Sequence, residues 1–263
     1  MELELKGRVA VVCAASKGLG RGIAQELATE GAKVVIVARG ADALNRARDE
    51  IAQRASAEVH AIVADVATLD GIDHIAAESV DKFGRVDVLV NNAGGPPSGP
   101  FELHNWATWE AAVELTLRSA VELTRRLLPG MRERKWGRIL NVTSIAAKQP
   151  IDGLMLSNAV RSAVTGWART LANEVAADGI TVNNVLPGYT RTERVQELNR
   201  ATAKRLGVDV DEVERRIEEQ IPMRRLGRPH EFAAMVAFLA SERASYITAQ
   251  SIAVDGGWIR SLL

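Results

Sequence analysis

The sequence predicts an α/β fold, a doubly wound sheet of seven parallel strands with helices on both faces. Three observations carry that expectation. Short apolar runs alternate with longer helical patterns almost from end to end, the rhythm of βαβ units. Many of the runs are apolar at every position, as in parallel strands buried on both faces. Glycine, asparagine and aspartate gather where the runs end, and ligands bind outside the carboxyl ends of the strands in such a sheet.

The elements follow in order. Val9–Val12 is the first strand, and the turn after it reads Cys13-Ala14-Ala15-Ser16-Lys17-Gly18-Leu19-Gly20-Arg21-Gly22. Glycines there let backbone approach a pyrophosphate, and the N-terminus of the helix over 19–29 offers unpaired N–H groups and a partial positive charge. Such a turn alone is equally a tight structural turn; its place between strand and helix inside a βαβ unit points to a dinucleotide. The second strand, 34–38, ends Val37-Ala38-Arg39, with no carboxylate before Asp42. An acid at that point would bond a ribose 2′-OH, whereas an arginine accommodates a 2′-phosphate. The charge favours NADP(H) over NAD(H), unless Arg39 is an ordinary surface cation.

Helix Ala41–Ala55 leads to strand Val59–Val63, after which Asp65-Val66 lies at the crevice. Helix Leu69–Phe83 leads to strand 86–90, closed by Asn91-Asn92-Ala93-Gly94. A long helix over 106–131, strand 139–142, helix 158–177 and strand 180–186 come next, the last ending in Pro187-Gly188. Helix 229–239 and strand 252–254 finish the pattern, before Asp255-Gly256-Gly257. One segment breaks the rhythm: 190–225 is long, charged and helical. Its place after a strand's carboxyl end suggests a substrate lid; a solvated helical insertion explains the charge equally well.

No repeat, low-complexity tract or linker divides the 263 residues, so one domain over 1–263 is expected. Thirty-three basic and 33 acidic side chains cancel, which argues against nucleic acid or an anionic membrane as partner. A single cysteine, Cys13, excludes an internal disulfide and a thiolate metal site, and no metal is expected. The N-terminal stretch lacks the apolar run of a signal peptide, and nothing approaches the ~20 apolar residues of a membrane helix. The expected compartment is the cytoplasm. His60, His74, His104 and His230 form no ligand or triad spacing.

These residues resemble the short-chain dehydrogenase/reductase family over essentially the whole chain. The family's T-G-x-x-x-G-x-G reads here Cys13-Ala14-x-x-x-Gly18-x-Gly20, with alanine for one glycine, while N-N-A-G is intact at Asn91 to Gly94. The tail, from Leu226-Gly227-Arg228-Pro229 to Asp255-Gly256-Gly257, resembles that of ketoacyl-carrier-protein reductases. The resemblance implies a Rossmann-type domain that holds its cofactor with the turn residues Ala14, Ser16, Lys17, Gly18, Leu19 and Gly20. Arg39, Asp65, Val66, Asn92, Ala93 and Gly94 would line the same site. Pro187, Gly188, Thr190 and Thr192 would close over the nicotinamide, and Lys17 would meet the 2′-phosphate.

The family's chemistry uses a Tyr-x-x-x-Lys pair, whose members share a helix face so that the cation lowers the tyrosine pKa. A serine holds the carbonyl, and an asparagine on the preceding helix supports a relay water. Here the serine maps to Ser144, but Ser157 stands for the tyrosine, Arg161 for the lysine and Thr116 for the asparagine. Serine does not ionise at working pH. Arginine keeps its proton but can still bridge ribose hydroxyls or stabilise an oxyanion. Tyr189 is expected as an aromatic pocket wall and Lys148 as a solvated loop residue. Leu156-Ser157-Asn158-Ala159-Val160-Arg161 is similar to a divergent subgroup lacking the perfect cofactor motif and tetrad.

The resemblance thus implies an NADP(H)-dependent oxidoreductase interconverting a ketone and a secondary alcohol on a small or acyl-linked substrate. It resembles 3-oxoacyl-(acyl-carrier-protein) reductase. The altered tetrad leaves open a catalytically silent dinucleotide-binding protein, a redox sensor or partner subunit. Helices 106–131 and 158–177 resemble those that family members pack into a four-helix interface, which implies a homotetramer. Apolar Trp258-Ile259 and Leu262-Leu263 would close a second interface.

Overall fold

Runs rich in valine and isoleucine become strands because their branched side chains pack well on a pleat covered on both sides. The computed structural model describes residues 2–262, so that Met1 and Leu263 lie outside the described residues. Strands β1 (Val9–Val12), β2 (Lys33–Ala38), β3 (Val59–Val63), β4 (Val88–Asn91), β5 (Gly137–Val142), β6 (Ile180–Pro187) and β7 (Ser251–Val254) form one sheet. Its order is β3-β2-β1-β4-β5-β6-β7, and each neighbouring pair is parallel. The order reverses between β1 and β4, the switch point where a crevice opens.

Period-two alternation sends Ala10 and Val12 of β1 to one face, and Val11 with Cys13 to the other. On the first face lie α1 (Gly18–Thr29), α2 (Ala41–Ala55) and α9 (Pro229–Ala240), contributing Ile23, Leu27, Leu44 and Phe232. On the second lie α3 (Leu69–Phe83), α5 (Ser119–Glu133) and α6 (Met155–Val175), contributing Ile72, Ile75, Leu123 and Ala172. No helix among the described residues is long and apolar enough to cross a membrane.

Two expectations change and one gains detail. The helix expected over 106–131 is interrupted: α4 (Trp106–Val113) passes into a π-helical turn, Glu114–Arg118, before α5 begins. The charged helical segment 190–225 holds two helices. Thr192 caps α7 (Glu193–Leu206) by accepting from Val195 N, Gly207 ends it at φ +67°, and α8 (Val210–Gln220) follows. Trp258 was expected at an exposed end, yet it is buried against Ile145, Leu186 and Ile221 of its own chain. That side chain is committed to the interior; Leu262 is the exposed apolar residue at that end.

A polar row crosses the second face of the sheet. The register aligns Asn91, Asn141, Asn184 and Ser251 on four successive strands. Asn91 Nδ2 donates to Asn141 Oδ1 at 2.9 Å, Asn141 Nδ2 to Asn184 Oδ1 at 3.0 Å, and Asn184 Nδ2 to Ser251 Oγ at 3.1 Å. A one-residue slip would leave buried amides unpaired, so the row locks the register of the strands that carry the cleft. Asn141→Ala should therefore destabilise the protein by about 2–4 kcal/mol, from an orphaned Asn184 carbonyl plus a cavity. Urea unfolding should report that loss at an unchanged m-value.

Candidate functional site

Because every strand is parallel, all the loops after their carboxyl ends open on one side. There, roofed by the start of α7, lies a cleft of about 600 Å³. The turn residues Ala14, Ser16, Lys17, Gly18, Leu19 and Gly20 form one wall. Arg39, Asp65 and Val66 extend it along β2 and β3, and Asn92, Ala93 and Gly94 continue it past β4. Pro187, Gly188, Thr190 and Thr192 enter from β6, and Ser144, Ser157 and Arg161 from β5 and α6. Of the site residues expected from the sequence, Thr116 alone is not among the residues lining this cleft.

The turn is fixed by close approach. A Cβ at Gly20 would run into the Ala14 carbonyl and lie 2.8 Å from Asn92 Nδ2, which itself donates to Cys13 O at 3.1 Å. Ala14 stands where the family carries glycine, and its φ is +49°. Left-handed backbone costs a residue with a Cβ about 1–2 kcal/mol, so the turn is strained at that point. Buried Cys13 is held neutral, its thiol pushed up to about 12 by burial.

Arg161 faces inward. Nη1 donates to Val142 O at 2.6 Å and Nη2 to Ala93 O at 3.4 Å, joining the ends of β5 and β4. Burial first, and repulsion from Arg194 second, bring its pKa down to about 10, so it remains a cation at neutral pH. Ser144 Oγ accepts from Ala146 N at 3.1 Å. Ser157 lies in the first turn of α6, on the cleft. Behind the cleft is a cavity of about 20 Å³, room for one water, lined by Thr116, Asn91, Asn92, Ser119 and Arg161 among others. Thr116, on the π-helical turn, is buried there, and its Oγ1 has no hydrogen-bond partner. The turn that swings it inward has no sequence signature; π-bulges often mark functional sites.

Charge is unevenly distributed. Lys17 pairs with Glu193 across the mouth of the cleft, an interaction that raises the lysine pKa. Arg39 Nη1 is 3.8 Å from Asp65 Oδ2. Arg194 Nη2 donates to Pro96 O at 2.7 Å. Neither the Lys17–Glu193 pair nor the Arg194 contact was anticipated, because each joins segments far apart in sequence. Tyr189 is a wall of the cleft, edge-on to Trp258 with ring centroids 5.8 Å apart, and burial raises its phenol pKa. Lys148 is exposed, and none of the histidines lines the cleft.

Known proteins resemble the chain over nearly its whole length. Residues 13–259 match the family described as Enoyl-(Acyl carrier protein) reductase. The chain is 31% identical over 257 residues to the 3-oxoacyl-(acyl-carrier-protein) reductase FabG of Aquifex aeolicus, covering 98% of this chain and 99% of that protein. It is 35% identical to the 3-oxoacyl-(acyl-carrier-protein) reductase of Synechocystis sp., covering 97% and 98%. L-sorbose reductase from Gluconobacter frateurii, solved with NADPH and L-sorbose, superposes with a TM-score of 0.95 at 35% identity, covering 100% of both chains.

Glycine sterics separate strain from contact in this turn. Ala14→Gly should raise stability by about 0.5–1 kcal/mol, relief of strain less the added entropy of the unfolded chain. Gly20→Ala should lower it by about 1–3 kcal/mol, since backbone must move. A Cβ at Gly94 meets nothing within 4 Å. Gly94→Ala should accordingly stay within about 0.5 kcal/mol of the native protein. Denaturant titration of the three variants checks the order.

Proposed function

The chain belongs to the short-chain dehydrogenase/reductase family, and we propose that it is an NADP(H)-dependent oxidoreductase interconverting a ketone and a secondary alcohol. The cleft suits a dinucleotide: the glycine turn opens a helix whose N–H groups face it, and Gly94 leaves open space beside it. Arg39 and Lys17 supply cations for a 2′-phosphate, although each is paired with a carboxylate that the phosphate would displace. When bound, NADPH supplies hydride from its nicotinamide C4.

The chain's own residues then stabilise the oxygen that becomes negative. Ser144 and Ser157 offer hydroxyl donors to the carbonyl oxygen. Arg161, cationic and buried, supplies a fixed positive field where dielectric screening is weak. The single observation that carries the reading is this grouping of Ser144, Ser157 and Arg161 on the cleft that also holds the glycine turn. Tyr189 stays a neutral phenol, and Ser157 cannot serve as an ionisable acid. Water is then the proton source, and Thr116 Oγ1 with its cavity beside Arg161 offers one a place. We also propose that α7 and α8 act as the lid of this site, since Thr192, Glu193, Arg194, Val195 and Leu198 line it.

Cofactor choice is checked by calorimetric titration: NADPH should bind more tightly than NADH, and Arg39→Asp should erase or reverse the preference. Equal affinities in the native protein would contradict the reading. A second measurement concerns the missing acid. Reduction of ethyl acetoacetate should be very slow, because a positioned general acid typically contributes ~10²–10⁴ in rate. Ser157→Tyr combined with Arg161→Lys should raise that rate at least tenfold, whereas Ser157→Tyr alone should not.

A further inference from the structure

Six charged side chains line the cleft: Lys17, Arg39, Asp65, Arg161, Glu193 and Arg194. Lys17 is paired with Glu193 and Arg39 with Asp65, at the nucleotide end. Arg161 and Arg194 are left without a carboxylate lining the cleft. Arg194's ion-pair partner is Glu197, 3.7 Å away, one turn along α7 and more than half exposed. The two guanidiniums bracket Gly94-Gly95: Arg161 donates to Ala93 O, and Arg194 donates to Pro96 O. Arg194 lies flat against Gly95, its Nε and Nη2 standing 3.0 and 3.1 Å from where a Cβ would be. Apolar walls surround this end, including Leu115, Ile151, Leu154 and Leu198.

Two cations facing a partly apolar cleft repel each other, and each is incompletely solvated. An anion resolves both costs at once, through charge-assisted hydrogen bonds that strengthen as water leaves. Arg161 faces the oxygen that turns negative during reduction, which leaves one positive charge, on Arg194, for the substrate itself. One charge on a planar fork of N–H donors matches one carboxylate. A phosphate dianion would leave the site net negative once the oxyanion forms.

We propose that the substrate is a small carbonyl compound bearing a carboxylate, and that Arg194 on the first lid helix is the residue that selects it. The inference rests on the reductase reading and narrows it to a substrate class. It also gives the lid a role: α7 carries the selecting charge into the cleft, next to the Glu193 that engages Lys17.

The test is calorimetric titration of the NADPH-loaded protein with levulinate and with methyl levulinate, which share a ketone and differ in charge. Levulinate should bind at least tenfold more tightly. Arg194→Gln should bring the two within about twofold, a change of about 1 kcal/mol by the usual conversion of affinity ratios. Arg194→Lys should keep most of the preference, and thermal melts establish that both variants are folded. Equal binding of acid and ester to the native protein, no binding of levulinate at millimolar concentration, or an undiminished preference in Arg194→Gln each overturns the proposal. NADPH titration comes first and stands apart: no NADPH binding overturns the reductase reading, whereas NADPH binding without acid preference overturns the carboxylate alone.

Discussion

A guanidinium clasped between the carboxyl ends of two neighbouring strands is the feature on which the cleft depends. Arg161 reaches from α6 to Val142 at the end of β5 and to Ala93 just past β4, and so fixes how far apart these ends stand. The charge is buried, and burial without compensation is costly, yet the compensation found is carbonyl oxygen and not a carboxylate. The site is therefore permanently electropositive. Burial moves the pKa of the group downward, but only to about 10, so it stays a cation at neutral pH. A fixed guanidinium of this kind suits the proposed role of holding an oxyanion better than that of passing a proton.

The sheet delivers its residues to this clasp with little freedom. Asn91, Asn141, Asn184 and Ser251 share one register, and their amides satisfy each other across four strands. Register lock and placement of the cleft residues are thus one device, because Asn92, Ala93 and Gly94 follow Asn91 directly, and Ser144 lies just past the end of β5, which carries Asn141. On the other side of the crevice, close backbone approach does the same. Gly20 lets α1 start against the Ala14 carbonyl, and Asn92 ties the turn to β4 through Cys13 O.

Much of this was legible in the residues. Parallel strands buried on both faces read as uninterrupted apolar runs, so the seven strands were countable although their order was not. Glycine, asparagine and proline at strand ends located the cleft because each has a local, mechanical reason to be there. The less legible features are those with no local cause. The π-helical turn at Glu114–Arg118 keeps helical propensity and periodicity almost intact, so the sequence read one helix over 106–131. Gly207 ends α7 and divides the charged segment into two helices, a boundary the charge pattern does not mark. The Lys17–Glu193 pair, the Arg194–Pro96 bond and the inward turn of Trp258 join residues distant in the chain, and only the folded packing brings them together.

The most direct measurement is a crystal structure of the protein with NADPH. The account predicts the 2′-phosphate between Lys17 and Arg39, and the nicotinamide C4 facing Ser144 and Ser157 with the Arg161 guanidinium still on Val142 and Ala93. A nicotinamide lying away from Ser144, or one placed with its C4 against a different proton donor such as Tyr189, would contradict it.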